Sequence, residues 1–266
     1  IIYEINARFL NEVSKSHPGD VERMRRMSLI EEGSPKQVRM AYLCIVGSHS
    51  VNGVSRLHSE LLKSHMLRDF NEFTPGKFNN KTNGISQRRW LQKANPGLSG
   101  LISRQIGEGW VTHLEELGQL MPYRDKNDFR KQWQAVKEAN KKALADHIYK
   151  TSYILVDPQS LFDVQVKRIH EYKRQLLNVL HVIHLYNRIK HGDTANWTPR
   201  CVLIGGKAAP GYFMAKLIIK LINNVARVVN GDKATQDLLR LAFIPDYRVS
   251  VMEIIAPGTD LSEQIS

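Results

Sequence analysis

The chain has 266 residues, of which 42% are hydrophobic and 24% are charged. This composition is typical of a folded globular protein and excludes a disordered or collagen-like chain. Lysine and arginine number 38 against 26 acidic residues, a net charge of +12, so we expect an anionic partner or a phosphate site.

Residue patterns exclude several further classes of protein. No apolar stretch reaches the length of a membrane span, and the first residues do not form a secretory signal. The histidines show no metal-ligand spacing, so no metal is predicted. Cys44 and Cys201 both lie in apolar runs and are predicted to be buried thiols in a reducing compartment. We expect a cytoplasmic protein, with a plastid as the alternative.

Apolar residues at helical spacing dominate the first third of the chain. A helix is predicted for residues 1–16, ended by "HPGD", and an arginine-rich one for Val21–Met27. The run "VRMAYLCIVG" indicates either a buried strand or a buried helix, and another helix follows it. The apolar positions of that helix are Leu57, Leu61 and Leu62. Residues 70–84 are polar and turn-rich, which predicts a linker or a site loop with a domain boundary near its end.

The next part of the chain is predominantly helical. Residues 85–120 are predicted to form several short helices, broken at "ANPGLSG" and "IGEGW". A long charged helix is predicted from Lys126 to Tyr149, followed by a strand at "YILV".

Strands then alternate with helices. The run "FDVQV" leads to a predicted helix at Glu171–Ile189, and "CVLIGG" leads to one at Tyr212–Val229. A third unit consists of "LAFI", a turn at "PDYR" and the segment "VSVMEII". This alternation predicts an α/β fold with a parallel sheet covered on both faces.

Basic residues follow each of these three strands. The cations concerned are Lys167, Arg168, Lys173, Lys207 and Arg248. Ligands of a parallel sheet bind at the carboxyl ends of its strands, so these side chains predict an anion site. A basic run taken alone is most often a solvated surface, and "GGKAAPG" lacks the order of a Walker A loop, so the prediction depends on the coincidence of all three runs.

Nucleic-acid binding is the alternative that a basic chain suggests first. The aromatic residues do not alternate with the cations as they do on a base-stacking surface. Helix-turn-helix and zinc signatures are also absent from the sequence. We expect no nucleic acid among the partners.

Seven motifs resemble those of the α-glucan phosphorylases, the family of glycogen, starch and maltodextrin phosphorylases. They are "RRMSLIEEG", "GSHSVNGVSRLHSE", "FNNKTNGISQRRWL", "NPGLS", "SLFDVQVKRIHEYKRQLLN", "IGGKAAPGY" and "DYRVSV" with "DLSEQIS", in the order of the family. The resemblance implies a two-lobed glycosyltransferase-type fold with Rossmann-like sheets, incomplete here at both ends. Residues 1–83 correspond to the end of the N-terminal lobe and residues 84–266 to part of the C-terminal lobe.

The resemblance also implies an activity and its site. The family uses inorganic phosphate to release glucose 1-phosphate from an α-1,4-glucan, with pyridoxal 5'-phosphate as cofactor. The implied phosphate-binding and catalytic residues are Lys167, Arg168 and Lys173. The implied sugar-binding residues are Asn83, Val54 and Tyr172. The implied cofactor-binding residues are Lys167, Trp90, Tyr247, Arg248 and Gln264.

Both ends of the chain stop within a pattern, so we expect a piece of a longer protein. By resemblance, the lysine that attaches the cofactor lies beyond Ser266, and the isolated chain is expected to be inactive. A homodimer is expected for the full-length protein. Two alternatives stay open at this point: a non-catalytic glucan- or anion-binding module, and a glycosyltransferase that uses nucleotide sugars.

Overall fold

The computed structural model describes residues 1–265 and divides the chain into two compact units, Ile1–Ile85 and Ser86–Ser266. Ser266, the last residue of the predicted second lobe, lies outside the described residues. The assignment of residues 1–83 and 84–266 to two lobes of a larger protein stays a prediction.

Short helices and strands make up the first unit. Its helices are α1 (Ile2–Ser16), α2 (Val21–Met27), α3 (Met40–Gly47), α4 (Arg56–Leu61) and α5 (Arg68–Phe73). Its strands are β1 (Ile30–Glu31), β2 (Gln37–Val38), β3 (Val51–Gly53) and β4 (Phe78–Asn80). A π-helical turn, Leu62–Met66, continues α4. The core consists of Phe9, Val13, Met27, Leu29, Ile45, Phe70 and Phe78.

Local sequence explains α1 and α2. Phe9 and Val13 are four residues apart, so both lie on the buried face of α1. Asp20 caps α2, because its carboxylate accepts a hydrogen bond of 2.9 Å from the backbone N–H of Arg23. The predictions for these two helices are confirmed.

Other predictions for the first unit need correction. Cys44 is exposed, because α3 turns its side chain away from the core. The run "VRMAYLCIVG", predicted as either a buried strand or a buried helix, forms helix α3 from Met40 onward, and Ile45 is the buried residue of that helix. Residues 70–84 are not only a loop, since they include strand β4, which pairs in parallel with β3 through Val51 and Phe78.

The second unit begins with helices. A π-helical turn covers Arg88–Lys93 and is followed by α6 (Pro96–Ile106), two 3₁₀ segments (Gly109–Val111 and Leu114–Tyr123) and α7 (Asn127–Ser152). The motif "ANPGLSG" separates two helical segments as predicted, because the break falls at Ala94 and Asn95 and α6 begins at Pro96. The side chain of Asn95 accepts a hydrogen bond of 3.2 Å from the N–H of Leu98, and Pro96 occupies the first turn.

Strand-helix units complete the second unit. The elements are β5 (Leu161–Val166), a 3₁₀ turn (Glu171–Lys173), α8 (Gln175–Lys190), β6 (Arg200–Gly205), α9 (Phe213–Gly231), a 3₁₀ turn (Lys233–Thr235), β7 (Leu239–Ile244), α10 (Val249–Gly258) and β8 (Leu261–Ser262). The strands form a parallel sheet in the order β7-β6-β5-β8. The predicted parallel sheet is therefore confirmed.

Helices cover both faces of this sheet. Helices α8 and α9 pack on one face through residues such as Val179, Val182 and Ile222. Helices α7 and α10 pack on the other face, where Leu144 and Ile255 contact the side chains of β5, β6 and β7. The two apolar layers explain why "CVLI" in β6 is a continuous apolar run rather than an alternating one. Within β6, Cys201 is buried as predicted.

Two boundaries differ from the predictions. The expected strand at "YILV" is absent from the described residues, because α7 continues to Ser152 and Tyr153 ends it with a left-handed φ of 57°. Helix α8 begins at Gln175 rather than Glu171. The 3₁₀ turn and Arg174, at a left-handed φ of 58°, come between the strand and the helix. Among residues 1–265, no helix has the length and apolar character needed to cross a membrane.

Candidate anion site at the carboxyl ends of the strands

The carboxyl ends of β5, β6 and β7 lie side by side because the three strands are parallel neighbours. A cavity of about 530 Å³ lies at this edge of the sheet. Its lining consists of Trp90, Arg168, Lys207, Tyr247, Arg248, Val249 and Met252. The structure therefore brings together one cation from the end of each strand and two aromatic side chains.

The charge of this cavity is only partly balanced. Asp246 pairs with Lys207 at 3.3 Å and with Arg248 at 2.6 Å. The guanidinium of Arg168 forms no salt bridge with any described residue. One carboxylate thus faces three cations, and because these side chains are exposed, an anion from solution can reach them.

Lys167 and Lys173 form a second group of cations near the cavity but not in its lining. The Nζ atom of Lys167 donates a hydrogen bond of 2.9 Å to the side-chain oxygen of Gln264. The ammonium of Lys173 lies 4.7 Å from the centroid of the Tyr172 ring, a cation–π distance. Burial lowers the pKa of Lys167, and the nearby positive charge of Lys173 lowers it further.

The cationic loop, residues 167–174, connects β5 to α8. Its first part continues the parallel pairing of β5 with β6. The N–H of Lys167 donates to the carbonyl oxygen of Gly205 at 3.0 Å, and the N–H of Ile169 donates to the carbonyl oxygen of Lys207 at 3.1 Å. The loop then approaches Gly206 closely. A Cβ atom at Gly206 would lie 2.2 Å from the carbonyl oxygen of Lys167, so this position requires glycine.

Two of the predicted sugar-binding residues belong to the first unit. Val54 is exposed, and its N–H donates a hydrogen bond of 3.1 Å to the ring of His58. Asn83 is also exposed and lies in a segment without regular structure, between β4 and the end of the unit. The roles predicted for Val54 and Asn83 stay predictions.

Sequence reasoning missed the buried polar residues next to the cationic loop. Successive side chains of β5 point to opposite faces of the sheet, so Phe162 and Val164 enter the apolar layer against α7 and α10. Asp163 and Gln165 face the other way and are almost completely buried, with exposed fractions of 1% and 0%. The available signal in the sequence was the presence of two polar residues, Asp163 and Gln165, in a strand of a sheet predicted to be covered on both faces.

Asp163 lies in an unusual electrostatic environment. One carboxylate oxygen pairs with Arg200 at 3.0 Å, and the other has no donor among the described residues. Burial, together with the neighbouring carboxylate of Glu263, raises the pKa of Asp163 to about 6, although Arg200 opposes the shift.

No cluster of three or more potential metal ligands occurs within residues 1–265. The arrangement at the strand ends is instead suited to phosphate groups. Arginine provides a planar fork for two phosphate oxygens, and lysine provides a concentrated charge.

Comparison with known proteins gives consistent matches over the whole chain. A family model described as carbohydrate phosphorylase matches residues 1–266. Glycogen phosphorylase of Synechocystis sp. is 56% identical over all 266 residues. The muscle forms of glycogen phosphorylase of Bos taurus and Homo sapiens are 56% and 55% identical over the same length. The chain covers 31% of the Synechocystis protein and 32% of the other two, about a third of each relative.

Proposed function

Because this chain belongs to the carbohydrate phosphorylase family, we propose that the protein containing it releases terminal α-1,4-linked glucose from a glucan as glucose 1-phosphate. In this reaction an oxygen of inorganic phosphate bonds to C1 of the terminal glucose. The bond between C1 and the glycosidic oxygen breaks, and that oxygen takes up a proton. Glycogen is the favoured glucan, since the three relatives named above are glycogen phosphorylases.

One observation supports the proposal most directly, namely the convergence of Arg168, Lys207 and Arg248 on one cavity. Two unit charges about 4 Å apart repel each other by roughly 4 kcal/mol at an effective dielectric constant near 20. Two dianionic phosphates raise this repulsion by up to about fourfold. Fixed cations reduce the repulsion, and they also stabilise the charge that separates as the glycosidic bond breaks.

The residues present fit pyridoxal 5'-phosphate. The cavity combines aromatic side chains, Trp90 and Tyr247, with cations suited to a phosphate group. We assign the cofactor to these side chains together with Lys167, Arg248 and Gln264. When bound, the cofactor supplies a phosphate group that exchanges a proton with the substrate phosphate. The lysine that attaches it is proposed to lie outside these 266 residues.

The remaining roles concern the substrates. Arg168 and Lys173 are proposed to bind inorganic phosphate, and Tyr172 is proposed to bind sugar hydroxyls. In the first unit, Asn83 and Val54 are proposed to contact glucose. For the whole protein we propose a homodimer in the cytoplasm; the plastid alternative is not borne out.

The test is made in the complete protein that contains this chain. With glucan, inorganic phosphate and pyridoxal 5'-phosphate, glucose 1-phosphate is the expected product. Replacing Arg168 by glutamine should lower kcat/KM for phosphate by about 10²-fold, the usual effect of removing one donor to a developing charge. Arg227→Gln is the matched control, because Arg227 lies on the exposed side of α9 and its side chain donates a hydrogen bond to Asn224 of the same helix.

Other outcomes would contradict the proposal in distinct ways. Glucan binding without any glucose 1-phosphate would indicate a non-catalytic binding module. Release of a nucleoside diphosphate would indicate a nucleotide-sugar glycosyltransferase. The 266-residue chain alone is expected to form no product, and appreciable turnover by it would refute the assignment of the attachment lysine.

A further inference from the structure

Two buried amide side chains bind the backbone of the cationic loop, and a third binds one of these two; none of the three lines the cavity. Gln165 in β5 and Gln175 at the start of α8 are fully buried, and Asn178, one turn into α8, is 4% exposed. A buried amide destabilises the fold unless its donors and its acceptor are hydrogen-bonded. The partners of these amides therefore indicate what their burial achieves.

Gln175 binds the loop backbone with both ends of its amide. Its Nε2 donates to the carbonyl oxygen of Arg168 at 3.1 Å, and its Oε1 accepts from the N–H of His170 at 3.3 Å. These two contacts lie on either side of Ile169, whose side chain is buried in the core. The backbone of Arg168 is thereby held between a core residue and a fully buried amide.

Gln165 binds the other end of the loop. Its Nε2 donates to the carbonyl oxygen of Lys173 at 2.9 Å. Its Oε1 accepts a hydrogen bond of 3.1 Å from Asn178, which orients the amide. The carbonyl of Lys173 is thus bound by Gln165 of strand β5. Gln165 is in turn bound by Asn178 of helix α8, which follows the loop.

We propose that Gln175 and the Gln165–Asn178 pair are positioning residues, which hold the backbones of Arg168 and Lys173 where both side chains can bind the same phosphate. The inference rests on the proposed function for its catalytic consequence. It extends that function to side chains that touch neither substrate nor cofactor.

Electrostatics explains why the loop needs such support. Lys167, Arg168, Lys173 and Arg174 lie within eight residues of one another, and Glu171 is the one acidic residue among them. The carboxylate of Glu171 is bound to the hydroxyl of Tyr212 rather than to a cation. Mutual repulsion therefore favours conformations that spread the cations apart. A displacement of about 1 Å in a catalytic group can cost on the order of 10²-fold in rate.

The experiment compares two amide replacements in the complete protein loaded with pyridoxal 5'-phosphate. Gln175→Met keeps the side-chain length but leaves Arg168 and His170 without their partners. Asn230→Leu is the matched control, because Asn230 binds both the N–H and the C=O of Leu241 in β7, which is separated from β5 by strand β6. Both variants are expected to unfold at lower temperature. Gln175→Met alone should lower kcat/KM for phosphate, by at least about 10-fold.

A second variant tests the hydrogen bonds themselves. In Gln175→Glu a neutral carboxyl can donate to Arg168 and accept from His170, whereas a carboxylate cannot donate. Burial favours the neutral form, so activity relative to wild type should increase by about 10-fold as the pH falls from 8 to 6. This readout also applies if Gln175→Met does not fold.

Binding of inorganic phosphate, measured by calorimetry without glucan, separates this inference from the proposed function. If the wild-type protein binds phosphate but makes no glucose 1-phosphate, the proposed function fails, and weaker binding by Gln175→Met still supports positioning. If Gln175→Met folds and stays within about twofold of wild type in both binding and kcat/KM, the inference is overturned. A pH-independent activity ratio for Gln175→Glu would overturn it as well. A wild-type protein that binds no phosphate would overturn both.

Discussion

The buried carboxyl of Asp163 should give this chain an unusual pH dependence of stability. Its pKa is raised to about 6 from an ordinary value of 3.8, first by burial and then by the carboxylate of Glu263. The folded state therefore binds the proton more tightly than the unfolded state does. The stability that this group contributes is fully present below about pH 4 and is lost as the pH rises through about 6.

The magnitude follows from the shift. A difference of about two pKa units corresponds to about 3 kcal/mol, of which roughly 2 kcal/mol changes between pH 4.5 and 7.5. In Asp163→Asn the side chain cannot ionise. As the pH rises from 4.5 to 7.5, the free energy of unfolding of the wild type should therefore fall by roughly 2 kcal/mol relative to that of Asp163→Asn.

Urea unfolding at several pH values, followed by circular dichroism, measures this difference. Asp232→Asn is the control. Lys190, the N–H of Ala234 and Tyr186 all bind Asp232 and lower its pKa to about 2, so its contribution is constant between pH 4.5 and 7.5. Glu263→Gln removes the second cause of the shift and should reduce the pH dependence. If the wild type instead gains stability relative to Asp163→Asn as the pH rises, the ion pair with Arg200 dominates and the reasoning is wrong.

Two further predictions concern packing and thiol reactivity. Gly206→Ala should lower the free energy of unfolding by about 3 kcal/mol or more, because its Cβ would meet the carbonyl of Lys167 at 2.2 Å. Gly47→Ala is the control, because a Cβ there meets nothing within 4 Å, and it should stabilise helix α3 by up to about 1 kcal/mol. Urea unfolding measures the stability of both variants. If the two variants are equally stable, the predicted clash at Gly206 is contradicted. A thiol reagent should modify the exposed Cys44 rapidly in the native protein. It should modify Cys201 only on unfolding, because burial raises the pKa of that thiol to about 12, and rapid modification of both would refute this assignment.

Much of the second unit could be predicted from local sequence patterns. Apolar runs followed by helical spacing identified the strands at "FDVQV", "CVLI" and "LAFI", and all three form one parallel sheet. The rule that parallel strands end at the same edge then predicted a common location for the cations that follow them. Arg168, Lys207 and Arg248 do line one cavity. The family motifs are also a property of the sequence alone, and the match to the carbohydrate phosphorylases confirms them.

Pairing over long distances in the chain could not be predicted in this way. Strand β4 is three residues long and has no pattern of its own, and it forms because β3, far earlier in the chain, provides hydrogen-bond partners. The exposure of Cys44 depends on the face that α3 turns toward the core, which a uniformly apolar helix does not specify. The left-handed residues Tyr153 and Arg174 carry no glycine signal, so the ends of the adjoining helices were misplaced.

The sequence by itself determined the family, the alternation of strands and helices along the second unit and the presence of cations after each of three strands, because these depend on short motifs and local periodicity. Only the tertiary structure decided which cations share the cavity and which lie beside it. It alone showed that Gln165 and Gln175 bind the backbone of the cationic loop and that Asn178 orients the amide of Gln165. A buried amide looks the same in sequence whether it binds a loop, a helix end or water, and its role depends on the partners that folding brings within hydrogen-bond distance.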